Sequence, residues 1–340
     1  MSNAAAGPGA VAPSGDDESS WGPLRKLAIA SLRLATLGTL LVVLSLVPMH
    51  PLSLLEHFRL QLLFGSAALA ALAALGRLVV WFDLAALSTV LALVLVTPGL
   101  SGARNVGPAD GVRVRLLLAN VLTSNRDVRR LEQLIEQLSP DLIALVEPNR
   151  TWFARLAPAL AGYPGRIEIH DEANFGIALY ARGSVRGGGE RLGSAQVTIV
   201  ATVELAAPSA AAPLSVVVTH PLPPMDERAA QIQARHLAAV AQRIRELPSP
   251  VILAGDFNTT PWARQFAALT RDTGLVDTRR GFGAHPTYPA FPEAALLRIP
   301  IDHVLVSPSI GVATRRVERD IGSDHLPVFV ELVVPRRAPR

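Results

Sequence analysis

The sequence contains no cysteine and a single lysine, Lys26, and both shortages narrow what the chain can do. Without cysteine it forms no disulfide bond and offers no thiolate to a metal ion. Its positive charge comes from 31 arginines, and from residue 101 onward 27 arginines face 23 acidic residues. These arginines are scattered, apart from the C-terminal PRRAPR, whereas a DNA-binding surface typically shows a dense basic stripe. The charge balance therefore favours no polyanionic partner.

Long apolar runs are concentrated in the first hundred residues, at 27–49, 60–76 and 78–100. Their lengths fit the roughly 17 to 25 residues that a helix needs to cross a bilayer. We predict a membrane anchor at 25–100 with three transmembrane helices. The short, alanine-rich middle run is also compatible with a buried partner in a helix hairpin. Residues 1–24 have the composition of a disordered tail, and their acidic character is unlike a secretory signal.

Charged residues near the runs predict how the chain is oriented. Arg25, Lys26 and Arg33 cluster at the start of the first run, so the positive-inside rule places the N-terminus in the cytoplasm. Three spans then make this a multi-pass protein of the inner (cytoplasmic) cell membrane whose C-terminal domain is extracytoplasmic. Arg33 and Asp83 fall at similar depth in the first and third runs, which predicts an ion pair between them; the alternative is that both reach the interface separately.

Beyond a linker at 101–111 the chain alternates between two hydrophobic periods. Amphipathic helices are predicted at 127–138 and 227–247, where apolar residues recur at helical spacing. Apolar runs predict strands at 112–120, 141–147, 176–182, 196–205, 214–220, 251–256, 301–306 and 326–334. This alternation indicates an α/β domain at 112–335, with helices covering sheet faces, followed by a short tail at 336–340.

Polar residues mark the ends of several predicted strands. The segment 251–261, VILAGDFNTTP, ends an apolar strand with Asp256 and Asn258. Taken alone, this GDFN is equally consistent with a turn, because Asp and Asn bond their own backbone. The same pattern recurs elsewhere, however, at Asn120, Glu147, His220, Asp302 and the 323–325 segment SDH. Ligands of α/β proteins collect at strand ends, so the recurrence predicts a site.

The oxygen-bearing side chains in this set suit a hard divalent cation. Glu147, Asp324 and Asn120 offer the carboxylate and carbonyl ligands that Mg²⁺ or Mn²⁺ prefers. Such an ion polarises a phosphoryl oxygen and neutralises charge on the leaving oxygen. These three residues are the predicted metal site.

The remaining side chains suit proton transfer and phosphate binding. His325 beside Asp302 is an arrangement that orients an imidazole for general-base or electrostatic work. His220 and Asn258 can donate hydrogen bonds to phosphate oxygens, and Asp256 can hold or deprotonate an attacking water. The set as a whole predicts hydrolysis of a phosphate ester.

Six ordered motifs resemble those of the endonuclease/exonuclease/phosphatase superfamily, which has the DNase I-like fold. They are Asn120, ALVE ending at Glu147, TH ending at His220, GDFN at 255–258, IDHV at 301–304 and GSDHLP at 322–327. The resemblance covers about residues 111–335, and membrane-anchored bacterial members look closest. It implies a four-layer α/β sandwich of two central sheets flanked by helices, with all six motifs at one edge.

The resemblance also implies a role for each motif residue. Glu147 corresponds to the metal-binding glutamate, Asn120 to the asparagine beside it, Asp324 to the acidic residue next to the metal, His220 and Asn258 to phosphate contacts, Asp256 to the aspartate that activates or stabilises, His325 to the catalytic histidine, and Asp302 to its orienting partner. The chain departs from the abasic-site endonucleases, because Val146 replaces their usual glutamine and DNA-inserting loops are not evident.

Three further residues are candidates for substrate binding: Asn174, Thr287 and Tyr288. The segment 284–291, AHPTYPAF, that holds the last two is equally consistent with a rigid proline-rich loop. His303 should point to the sheet face opposite Asp302 and is assigned a structural role. His57, which lacks an acidic partner at ligand spacing, is assigned to a surface or boundary position.

Three functions remain open from the sequence. The first is a membrane-anchored, divalent-metal-dependent phosphatase or phosphodiesterase acting near the bilayer, for example on a lipid-linked phosphate. The second is a membrane-tethered nuclease of the same mechanism, and the third is a catalytically inactive binding or scaffold domain. The complete motifs argue against the third. The expected partners are the lipid bilayer and a phosphate-ester substrate, and no obligate protein partner is inferred.

Overall fold

The computed structural model describes residues 23–75, 78–207, 209 and 211–337. Its first three helices are α1 Pro23–Leu44, α2 Arg59–Leu75 and α3 Val79–Leu100. With the 3₁₀ turn that precedes α2, the segments Leu52–Leu75 and Val79–Leu100 are long and apolar enough to cross a membrane, and only 17% and 22% of their apolar windows are buried. A shorter apolar helix spans Ile29–Leu44. Length and composition therefore qualify two of the three predicted spans.

The contact between α1 and α3 differs from the predicted one. Arg33 and Asp83 are both exposed, and no ion pair joins these two described side chains, so the predicted pair is wrong. The helices instead come together at Thr39 and Ser88, whose Oγ1 and Oγ atoms lie 2.6 Å apart. Small side chains allow apolar helices to approach closely, which leaves the two charges on the outer surface.

The rest of the described chain forms two six-stranded sheets and four helices. The helices are α4 Val128–Leu138, α5 Arg150–Leu156, α6 Glu227–Arg245 and α7 Arg264–Thr273. The strands are β1 Val112–Asn120, β2 Leu142–Val146, β3 Gly165–Ile169, β4 Ile177–Ala181, β5 Gly183–Arg191, β6 Val197–Leu205, β7 Leu214–Val218, β8 Val251–Asp256, β9 Val276–Asp277, β10 Asp302–Val306, β11 Gly311–Val317 and β12 Val328–Val334. The sheet orders are β11-β12-β1-β2-β4-β3 and β5-β6-β7-β8-β10-β9.

The layers follow from the two-residue period of the strands. In β1, Leu116 and Leu118 point into the core between the sheets, whereas Leu117 points to the outer face. That outer face is covered by α4 and α5 through residues such as Leu131 and Trp152. Helices α6 and α7 cover the second sheet in the same way. The predicted sandwich of two sheets flanked by helices is therefore confirmed.

Strand direction brings the predicted site residues to one edge of both sheets. In the first sheet β1 runs parallel to β2 and antiparallel to β12. In the second, β7 runs parallel to β8, and β10 runs antiparallel to β8. The carboxyl ends of β1, β2, β7 and β8 and the amino ends of β10 and β12 thus share one edge.

The predicted linker at 101–111 is fastened to the sandwich. Asn105 Nδ2 donates to the carbonyl oxygens of Pro308 (2.9 Å) and Ile310 (2.7 Å). The Arg104 guanidinium lies over the Phe282 ring, 4.3 Å from its centroid. These contacts hold the end of α3 close to the second sheet.

Candidate active site

The residues that the sequence analysis singled out converge at the shared edge. They occupy the ends of strands or the turns beside them: Asn120 closes β1, Glu147 follows β2, His220 lies just past β7, Asp256 closes β8, Asp302 opens β10, and His325 precedes β12. Two sheets contribute to the cluster, so residues more than one hundred positions apart, such as Asn120 and Asp256, become neighbours.

Backbone geometry at this edge turns two side chains toward the cluster. Glu147 and Asn258 have φ values of +64° and +51°, in the left-handed region that costs non-glycine residues about 1–3 kcal/mol. The turn at Glu147 is held by its N–H, which donates to the Gly176 carbonyl (2.8 Å). A Cβ on Gly176 would lie 1.8 Å from the Pro148 carbonyl oxygen, so glycine is required there.

Asn120 joins the two sheets at the site. Its Nδ2 donates to Glu147 Oε1 (2.9 Å) and to Asp256 Oδ2 (3.2 Å), while its Oδ1 accepts from Leu122 N (3.1 Å). In this arrangement Asn120 orients the two carboxylates, and its oxygen is engaged by the backbone. Glu147 Oε2 is buried without a hydrogen-bond partner, and burial raises the pKa of the Glu147 carboxyl.

His325 and Asp302 form a buried ion pair. His325 Nδ1 lies 2.8 Å from Asp302 Oδ2, and both residues are at most 5% exposed. Burial opposes the charge on His325, but the Asp302 and Asp256 carboxylates outweigh it and raise the pKa of His325 to about 10. Burial likewise works against the charge of Asp302, and the proximity of His325 lowers the pKa of Asp302. The imidazole is therefore a cation at neutral pH.

Thr287 stabilises this pair through a hydrogen bond to Asp302. Its side chain is fully buried, does not line the cavity of the site, and hydrogen-bonds Asp302, which further lowers the pKa of that carboxyl. No part of the Thr287 side chain reaches solvent, and its predicted contact with substrate stays a prediction. It is a positioning residue for Asp302.

Asp256 lies between the two histidines of the site. Its Oδ2 is 3.6 Å from His220 Nε2 and 3.5 Å from His325 Nε2, and its Oδ1 accepts from Asn258 N (2.9 Å). Complete burial raises the pKa of Asp256. Burial and the charge of His325 lower the pKa of His220 to about 3, so His220 is neutral and keeps one N–H to donate.

A cavity of about 400 Å³ opens onto these groups. Asn174 and Tyr288 line it, and the Tyr288 ring lies 4.8 Å from that of His325. Asp324, Glu147 and Asp256 contribute carboxylates, whereas no arginine or lysine is found among the described lining residues. The His325 cation is already paired with Asp302, so the three carboxylates would repel an anionic phosphate unless a further cation were present.

The donor set fits a divalent metal ion. Two overlapping groups bring their ligand atoms within 4.8 Å of one another: Glu147, His220 and Asp256, and Asp256, Asp302 and His325. The unpartnered Glu147 Oε2 and the excess of carboxylates match the preferences of Mg²⁺ or Mn²⁺. Because His325 is already paired with Asp302, Glu147 is the residue of these groups that is best placed to hold the ion.

His303 has the structural role expected for it. Its Nε2 is 2.7 Å from the Thr259 carbonyl oxygen, and its ring packs between Phe257 and Phe266 at centroid distances of 5.0 and 4.6 Å. It lies on the face of β10 that points away from the cavity, as strand alternation requires.

The sequence analysis missed one wall of the cavity. Leu54, His57 and Phe58, from the 3₁₀ turn Leu52–Phe58 between α1 and α2, line it together with the catalytic edge. The surface or boundary position assigned to His57 is wrong, since it is buried and its Nδ1 lies 3.2 Å from Thr260 Oγ1. No local sequence signal links positions two hundred residues apart, and only the tertiary structure joins them.

Comparison with known proteins gives a family and a fold. The family model described as Endonuclease/Exonuclease/phosphatase family matches residues 117–325. An endonuclease/exonuclease/phosphatase from Beutenbergia cavernae DSM 12333 is 22% identical with a TM-score of 0.51, covering 66% of this chain and 72% of that one. No curated protein matches the chain significantly.

Two further solved structures share the fold. A mannosyl-6-phosphatase from Bacteroides thetaiotaomicron VPI-5482 is 18% identical with a TM-score of 0.53, over 65% of this chain and 99% of that one. D. rerio TDP2 complexed with single strand DNA product is 17% identical with a TM-score of 0.51, over 65% and 98%. At these identities the likeness is one of fold.

Proposed function

Because the chain belongs to the endonuclease/exonuclease/phosphatase family, which hydrolyses phosphoester bonds, we propose that it is a membrane-anchored, divalent-metal-dependent phosphatase or phosphodiesterase. One observation carries the metal dependence. Three carboxylates line the cavity, and its described lining contains no arginine or lysine. Because the His325 cation is paired with Asp302, a site of this charge binds a phosphate only with the help of a further cation.

Glu147 and Asp324 would hold the metal ion, and Asn120 keeps the Glu147 carboxylate in place through its 2.9 Å hydrogen bond. When bound, Mg²⁺ or Mn²⁺ supplies positive charge that polarises a phosphoryl oxygen and neutralises the leaving oxygen. The buried, unpartnered Glu147 Oε2 supports this assignment, because an uncompensated acceptor in such a position is costly.

Residues of the second sheet, together with His325 from the turn before β12, would move the proton and bind the phosphate oxygens. Asp256, whose pKa is raised by burial, holds an attacking water and accepts its proton. His325, held as a cation by Asp302, supplies positive charge to the phosphoryl oxygens rather than acting as a base. His220 and Asn258 donate hydrogen bonds to the phosphate oxygens. Asn258 Nδ2 donates one of its two hydrogens to the Pro221 carbonyl (3.0 Å), so the second is available to the substrate.

The location favours a substrate at the bilayer surface, such as a lipid-linked phosphate. Two helices are long and apolar enough to span a membrane, and the turn before α2 lines the cavity. The basic residues at the start of α1 favour a cytoplasmic N-terminus, which would place the catalytic domain outside.

The test uses the full-length protein in lipid nanodiscs with Mg²⁺ or Mn²⁺. Product release is compared for phospholipids, polyprenyl pyrophosphates, DNA and RNA, with Glu147→Ala as the matched inactive control. We expect metal-dependent hydrolysis of a lipid phosphoester. Hydrolysis of nucleic acid alone would replace the proposal with a tethered nuclease, and no hydrolysis of any substrate would favour a binding or scaffold role.

A further inference from the structure

The turn between α1 and α2 is built into the active-site edge. Trp262 Nε1 donates to the His57 carbonyl (3.1 Å), and Arg59 Nη1 donates to the Trp262 carbonyl (2.7 Å). The His57 ring reaches Thr260, two residues beyond Asn258. His57 and Arg59 are buried by these contacts. The helices at the membrane are thus directly attached to the segment that carries Asp256 and Asn258.

The cavity lining contains two chemically different sets of residues, a polar side and an apolar side. Carboxylates and histidines form the polar side, as described above. Leu54 and Phe58 from the turn form the apolar side together with Phe175, Met225 and Ile299 from the sandwich. A small hydrophilic phosphate ester would leave this apolar side in contact with water. A molecule with a phosphate at one end and hydrocarbon at the other would cover both sides.

The apolar side continues toward the membrane helices. Gln61 in the first turn of α2 donates through Nε2 to the Arg298 carbonyl (2.9 Å), directly before the cavity residue Ile299. Leu296 and Leu297, just upstream, are 90% and 58% exposed. An apolar rim therefore lies level with the start of a helix that is apolar enough to span a membrane. Exposed leucines at that level suit the boundary between headgroups and acyl chains.

We propose that Leu54 and Phe58 form the substrate-selecting wall of the active site, and that the site takes a phosphoester carried on a lipid. The phosphate reaches the carboxylate and histidine side, while the apolar part of the lipid lies against Leu54 and Phe58 and leaves along the Leu296–Leu297 rim. This inference rests on the proposed phosphoesterase function and assigns it a substrate class and two specificity residues in the anchor.

The experiment compares long and short lipids that share one scissile bond. Full-length protein in nanodiscs is given phosphatidic acid or phosphatidylglycerol, each as the dioleoyl form and as the water-soluble dihexanoyl form. The readout is the ratio of kcat/KM for the long form to that for the short form. We expect Leu54→Ser and Phe58→Ser each to lower this ratio about tenfold, because each removes apolar contact with the chain but not with the phosphate.

Two variants serve as controls. Met49→Ser removes an exposed apolar side chain that does not line the cavity and should leave the ratio unchanged. Phe58→Leu keeps an apolar side chain and should retain most of the wild-type ratio, which separates selectivity from misfolding. Thermal unfolding of each variant is measured alongside.

The outcomes separate this inference from the function on which it rests. An unchanged ratio in both serine variants, or a parallel loss on both lipid forms, would overturn the selecting role of the wall. Wild-type hydrolysis of p-nitrophenyl phosphate or DNA without hydrolysis of any dioleoyl lipid would overturn the substrate class and leave the phosphoesterase function standing. If the wild-type protein hydrolysed no phosphoester at all, both the lipid substrate class and the phosphoesterase function would be overturned.

Discussion

Replacing Asp302 with asparagine should remove the charge that keeps His325 protonated while preserving the shape of the site. Asp302 is 1% exposed, and its Oδ2 lies 2.8 Å from His325 Nδ1. An asparagine oxygen can still accept that hydrogen bond, but it no longer stabilises a cation. The His325 cation would then be stabilised only by Asp256, whose Oδ2 is 3.5 Å from Nε2, and more weakly by Asp324.

The size of the effect follows from the burial of the pair. Removing one partner of a buried ion pair typically lowers the free energy of unfolding by about 3–5 kcal/mol. Because Asp302→Asn retains the hydrogen bond, we expect a loss of about 3 kcal/mol. Because the pKa of His325 is raised above 6.5, the stability from its charge is fully present below pH 6.5 and is lost as pH rises through about 10. The Asp302→Asn variant should lack this loss of stability at alkaline pH. Turnover should fall by roughly 10²–10³-fold at neutral pH, as loss of a positioned catalytic charge does.

The assay measures kcat against pH with saturating Mg²⁺, and unfolding free energy on the same preparations. Asp277→Asn is the matched control. Asp277 lies in the same sheet as Asp302, is also buried and pairs with an arginine, Arg279, but does not line the cavity. It should lose comparable stability and keep turnover within about threefold of wild type. A turnover within about threefold of wild type for Asp302→Asn would refute the role of the pair.

Three other outcomes are expected. Glu147→Ala should lower turnover by about 10³-fold or more, and EDTA should abolish wild-type activity until Mg²⁺ or Mn²⁺ is added; a variant within about tenfold of wild type would contradict the assignment. Burial lowers the pKa of His303 to about 3, so its contribution to stability is present above about pH 6.5 and lost as pH falls; denaturant unfolding should show a shallower acid loss in His303→Gln, and equal slopes would argue against it. Alkaline phosphatase fused after Arg340 should be active if the domain is extracytoplasmic, whereas fluorescence from a cytoplasm-only reporter there would reverse the topology.

The strands that the sequence predicted and those that it missed differ in their position within the sheets. All eight predicted strands have a counterpart, whereas β3, β5, β9 and β11 were missed, and these four are the edges of the two sheets. Interior strands are covered on both faces and read as apolar runs. An edge strand such as β5, GSVRGGGER, is half-exposed, and its polar sequence carries little strand signal.

The short helices α5 and α7 escaped prediction for a related reason. Helix α5 has only seven residues, too few to display a full apolar period, although Asn149 caps it by accepting from Trp152 N (3.0 Å). Its position comes from Trp152 and Phe153, which pack on the first sheet. The sheet, rather than the local sequence, determines that this segment is helical.

Site chemistry could be inferred from sequence wherever it depended on residue type at a strand end. Asn120, Glu147, Asp256 and His325 were identified in this way, because strand direction alone brings such residues to one edge. The support that Thr287 gives to Asp302 could not be predicted, since a threonine suits substrate binding equally well and only the tertiary structure reveals its burial.

What the sequence determined by itself was the alternation of strands and helices, the apolar helices at the start and the polar residues at the strand ends. The tertiary structure alone decided that Arg33 and Asp83 lie apart, that the Asn120 amide joins two carboxylates, and that Leu54 and Phe58 close the cavity. The physical reason is that the two kinds of information act over different separations along the chain. Periodicity and residue type act over a few positions, whereas burial and charge depend on segments that meet only when both sheets and the helices before them pack together.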